Sequence, residues 1–69
     1  MKWIICVSNK GYEASLETRK LYSQLSDPVA ETRGLVRVID ESGEDYLFSA
    51  SMFSPIAISQ PLERILLAA

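Results

Sequence analysis

The chain has no histidine, a single cysteine and no apolar run longer than five residues. Without imidazole, the usual general base of a serine or cysteine nucleophile is missing, and so is the commonest nitrogen ligand of zinc. One cysteine forms no internal disulfide and, by itself, no thiolate metal site. The two longest apolar runs, residues 3–7 and 65–69, are too short for a signal-peptide core. Both fall far below the roughly 20 residues that span a bilayer. Basic charge is also scarce, with seven Lys and Arg against nine Asp and Glu and a net charge of -2. Clustered basic residues drive phosphate binding, so no nucleic-acid partner is expected. Internal repeats, linkers and low-complexity segments are absent as well.

What remains is a globular composition. Of 69 residues, 48% are hydrophobic and 23% charged. A chain of this length buries only about 60% of the surface it exposes when unfolded, so its core is marginal and a partner or a second copy would add stability. One domain over residues 1–69 is the expectation. A free Cys6 inside an apolar run suits a reducing compartment, which makes the cytoplasm the expected location and membrane association unexpected.

Residues 3–7 read as a buried strand bounded by the turn-prone Ser8, Asn9, Lys10 and Gly11. Residues 13–25 are ambiguous. Glu13, Ala14, Leu16, Glu17, Arg19 and Lys20 favour a helix by propensity, whereas Leu21, Ser23 and Leu25 alternate with Tyr22 and Gln24 as in a strand. Asp27-Pro28 ends either element. Residues 35–39 form a strand, Glu41 to Glu44 reverse the chain through Gly43, and residues 46–48 return antiparallel. Residues 53–58 read as a last strand, placed at an edge by Pro55. Pro61 then opens a short helical tail, residues 61–69, with Leu62, Ile65, Leu66 and Ala69 on one face and Glu63 and Arg64 off it.

The order Gly-Glu-Asp-Tyr-Leu-Phe-Ser-Ala-Ser-Met-Phe, from Gly43 to Phe53, resembles the end of a Src-homology-3-like (SH3-like) barrel. The segment from Arg37 to Leu47, with residues 11–17 upstream, also resembles small bacterial proteins of unassigned function. The resemblance implies a mainly β fold: a small five-stranded SH3-like barrel with a short C-terminal helix. Residues 11–19 then become a long first loop and residues 20–26 a strand. An α+β fold with a helix at 13–25 is the alternative. The same resemblance places the proline-gripping positions of that family on Gly34, Ser49 and Met52, none of which carries the required side chain, so it supplies no proline-peptide site.

Few residues stand out as chemistry. Asp40, Glu41, Glu44 and Asp45 crowd the hairpin tip, where they form either a solvated end that discourages edge-to-edge aggregation or a docking patch. Cys6, between Ile5 and Val7, reads as a structural thiol. Trp3, Phe48 and Phe53 read as core, while Tyr12, beside a glycine in a polar loop, is a candidate contact. The tail residues Leu62, Ile65 and Leu66 must dock on something, because nine helical residues are not stable alone in water.

These features lead to a non-catalytic protein-interaction module or small accessory subunit, with no enzyme activity and no cofactor. Its partner is an unidentified protein, or a second copy held through the tail. A regulator touching nucleic acid through Lys10, Arg19, Lys20, Arg33 and Arg37 is the first alternative, and a small-ligand or enzyme-accessory domain the second.

Overall fold

The computed structural model describes residues 2–68. Five strands form one antiparallel sheet: β1 (Lys2–Cys6), β2 (Leu21–Leu25), β3 (Leu35–Ile39), β4 (Asp45–Ser49) and β5 (Phe53–Ile56). Two helices, α1 (Pro28–Glu31) and α2 (Gln60–Ala68), and a 3-10 turn at Ala50–Met52 complete the described chain. Ala69, the last expected tail residue, lies outside the described residues.

The sheet runs in the order β4-β3-β2-β1-β5 and does not close. The expected mainly β fold of five strands with a C-terminal helix is present, as a sheet that is not closed, with β4 and β5 at its two edges. A physical reason is visible at Pro55. Val7 donates its N–H to the Met52 carbonyl at 2.8 Å. Antiparallel alternation then leaves Pro55, opposite Ile4, in a non-hydrogen-bonded pair. The missing proline N–H thus falls on the outer side of β5, where it blocks further pairing.

Residues 13–25 contain no helix. Residues 7–20 make a loop of turns and β2 follows. Propensity loses here to burial, because Leu16 and Tyr22 both enter the core. Residues six apart on a helix point about 120° away from each other, so a helix cannot bury both on one face. Gly11 at φ 88° and Arg19 at φ 65° take the left-handed conformation that bends the chain at either end of the loop.

One side of the sheet holds the core: Ile4, Cys6, Tyr22, Val38, Phe48 and Phe53, closed by Leu16 from the loop and Met52 from the 3-10 turn. Phe48 and Phe53 meet edge to face at 6.0 Å, and Tyr22 and Phe53 at 6.3 Å. Trp3, expected in this core, alternates onto the other side and is half-buried. The β3–β4 hairpin forms antiparallel as expected, and its register sets Val36 opposite Phe48 and Val38 opposite Tyr46.

Helix α1 was not anticipated. Asp27 caps it, accepting from the Ala30 N–H at 3.1 Å, and Pro28 occupies the first turn. The sequence signal was Asp-Pro with Glu31 following, since the Glu31 carboxylate accepts in return from the Asp27 N–H at 3.2 Å.

Candidate functional site

The four hairpin carboxylates do not converge. Asp40 is 8% exposed. Its Oδ1 accepts from the backbone N–H and the hydroxyl of Ser42, which fixes the turn. Glu41 points across the sheet and accepts from Lys20 Nζ and the Tyr22 hydroxyl, each at 2.6 Å. Glu44 accepts from the Tyr46 hydroxyl at 2.6 Å. Asp45 pairs with Arg37 at 3.0 Å, and Arg37 also holds Asp27 at 2.9 Å. Three of the carboxylates thus tie the hairpin to itself or to its neighbours, and the fourth pins a tyrosine. Among the described residues no three His, Cys, Asp or Glu side chains are placed to hold a metal ion together.

These bonds shift protonation. The Lys20 and Tyr22 hydrogen bonds hold the Glu41 carboxyl below the ordinary range, and Lys20 is raised in turn, chiefly by that bond. Burial, then the bond to Glu41, pushes the Tyr22 phenol up. Tyr46 is raised by its bond to Glu44.

Tyr12 meets the same hairpin. Its ring stands edge-on to Phe48 at 5.2 Å and 82°. Between the first loop and the hairpin lies a cavity of about 320 Å³, with Tyr12 and Ser15 on one wall and Ser42, Tyr46 and Leu47 on the other. Buried Phe48 and Asp40 also line it. Tyr12 and Tyr46 are each 47% exposed, so both rings are available to a ligand. Tyr46 and Leu47 were missed by sequence reasoning. They looked like plain strand residues, and only the fold of the loop over the hairpin gives them a second wall.

Within one chain, the tail does not cap the sheet through its apolar face. No residue of α2 is buried. Leu66 is half-buried, whereas Leu62 is 39% and Ile65 67% exposed. Glu63, expected to stay wet, faces the sheet and accepts from the Trp3 indole N–H at 3.0 Å. Leu62, Ile65 and Leu66 are therefore not packed together against this chain's own sheet. Beside the helix, Trp3, Gln24, Ile56, Ile58 and Glu63 help to line a shallower cleft of about 570 Å³.

Two of the five basic candidates are engaged: Lys20 with Glu41 and Glu17, and Arg37 with Asp27 and Asp45. Cys6 is fully buried, its thiol donating to the Ser8 carbonyl at 3.3 Å, and burial raises its pKa. Burial and the raised pKa both disfavour the reactive thiolate. Among the described residues no helix is long and apolar enough to cross a membrane. Neither protein-family models, nor curated proteins, nor solved structures contain a match to this chain.

Proposed function

We propose that the chain is a non-catalytic protein-interaction module of SH3-like architecture, and that its docking site is the groove between the first loop and the β3–β4 hairpin. In support of the architecture, a long loop joins β1 to β2, a tight hairpin joins β3 to β4, and a 3-10 turn leads into a last strand beside the first. The observation that carries the site is the pair of half-exposed tyrosines, Tyr12 and Tyr46, flanking buried Phe48. Aromatic side chains that expose their faces over an apolar floor are the usual anchors of peptide recognition.

The groove also runs along an unpaired edge. Asp40 donates to the Glu44 carbonyl and Ala50 to the Gly34 carbonyl. Antiparallel alternation between those points turns the backbone N–H and C=O of Asp45, Leu47 and Ser49 outward. An extended segment can add to that edge while placing every second side chain in the groove.

Selection of displayed random peptides against the chain tests this reading. Peptides enriched on the native chain should lose binding to Tyr12→Ala and to Tyr46→Thr, a substitution that preserves strand preference. Enriched peptides that bind both variants equally would place the docking site elsewhere.

A further inference from the structure

We infer that the groove selects a cationic side chain, lysine or arginine, carried by an extended segment laid along β4. The inference rests on the groove being the docking site and adds what that site reads. Asp40, a residue 92% buried, is among those lining the cavity. Oδ1 is occupied by the two donors of Ser42. Oδ2 accepts no hydrogen bond among the described residues. No buried side-chain oxygen lacks a partner among the described residues, so Oδ2 is open to solvent. A ligand that fills the cavity must bring an N–H in place of that water or leave a charged oxygen desolvated.

The rest of the lining agrees in sign. No lysine or arginine borders the cavity. Glu13, next to Tyr12, and Glu44, bonded to Tyr46, add negative charge nearby. The Tyr12 and Tyr46 rings present π faces, which attract an ammonium or guanidinium group. Ser15 and Ser42 supply hydroxyl oxygens that accept from its remaining N–H donors. An acidic side chain would meet repulsion from Asp40. A neutral apolar one would fill the cavity and leave Oδ2 bare.

The test is a titration of the isotope-labelled full chain, followed by amide chemical shifts, with the peptide acetyl-Thr-Val-Arg-Val-Thr-amide. Counterparts carrying lysine, norleucine or glutamate at the central position complete the set. The arginine and lysine peptides should shift the amides of Ser15, Ser42 and Leu47 and bind at least about tenfold more tightly than norleucine. The glutamate peptide should not bind. Asp40→Asn keeps an oxygen for the Ser42 donors and removes the charge, so it should abolish the preference over norleucine while its melting temperature is checked separately. Norleucine binding equal to arginine would overturn the cationic selection and leave the groove as a docking site. No shift with any of the four peptides would overturn both.

Discussion

The Tyr22 hydroxyl donates to Glu41 at 2.6 Å and at the same time accepts from the Glu17 N–H at 2.7 Å. One phenol thus joins three parts of the chain: strand β2, the first loop and the β3–β4 hairpin. Lys20 closes the arrangement by pairing with Glu41 at 2.6 Å. The Glu41 N–H, in turn, donates to the Ser15 carbonyl at 3.1 Å. The loop wall of the groove, with Tyr12 and Ser15, is therefore held in place from below by a polar network and not by apolar packing alone.

Tyr22→Phe should separate the ring from its hydroxyl. The edge-to-face contact with Phe53 survives, but the Glu17 N–H and Glu41 each lose a partner. The expected loss is about 1–3 kcal/mol in a denaturant titration. That is a large share of a domain whose total stability is about 3–5 kcal/mol. The loop amides from Glu13 to Glu17 should also exchange faster with solvent. A loss below about 0.5 kcal/mol would show that the network contributes no more than an ordinary surface contact.

Acid should weaken the fold through specific carboxylates. Lys20 and then Tyr22 hold Glu41 low, the Ala30 N–H and then Arg37 hold Asp27 low, and the Gly11 N–H lowers Glu13. For each, the unfolded chain takes up protons more readily than the folded one. Their contribution is complete above about pH 5 and is lost as pH falls through about 4 and on toward the lowered folded values. The melting temperature should hold between about pH 7 and 5 and fall toward pH 3. The double variant Glu41→Gln/Asp27→Asn should flatten that fall. A parallel fall in wild type and variant would assign it to other groups.

The hairpin was legible because its signals are local: branched residues in alternation, a glycine at the reversal, and a return strand of the same period. The first loop was legible only through the SH3-like resemblance, which placed a loop at residues 11–19 and a strand at 20–26; propensity alone misled, since Leu16 and Tyr22 reveal their shared burial only when the sheet exists. Openness of the sheet was hidden as well. Pro55 announced an edge, but whether that edge meets β4 depends on packing across the whole core. At the candidate site, Tyr12 was readable from its glycine neighbour and polar surroundings. Asp40, by contrast, looked like one of four equivalent tip carboxylates, and its burial depends on the Ser42 turn and on the loop folding over it.

Asp27 joins two functions that substitutions can divide. Its carboxylate caps α1 through the Ala30 N–H and pairs with the Arg37 guanidinium at 2.9 Å. Asp27→Asn retains an oxygen for the cap and removes the ion pair. Asp27→Ala removes both. The alanine variant should lose about 1–2 kcal/mol, as a missing N-cap does. The asparagine variant should lose about 0–1 kcal/mol, as a partly exposed ion pair does. Equal losses would mean that the cap contributes nothing to this four-residue helix.

The tether of α2 to the sheet is a sharper case, because the Trp3–Glu63 bond is the one side-chain hydrogen bond between them among the described residues. Three buried aliphatics would contribute roughly 1.5–3 kcal/mol each. Ile65 at 67% and Leu62 at 39% exposure fall well short of that, and half-buried Leu66 gives a part. Removing residues 60–69 should therefore cost only about 1–2 kcal/mol, and should shift Trp3 fluorescence to longer wavelength as the indole becomes wetter. A double-mutant cycle of Trp3→Phe and Glu63→Ala isolates the bond, with a coupling of about 0.5–1.5 kcal/mol expected. Ile65→Glu supplies the control. If Ile65 faces water, the substitution should leave stability within about 0.5 kcal/mol and the sedimentation coefficient unchanged. A chain that sediments more slowly after Ile65→Glu had its outer helix face covered by a second copy. In that event the cost of removing the tail would depend on protein concentration, which a dilution series of melting curves would show.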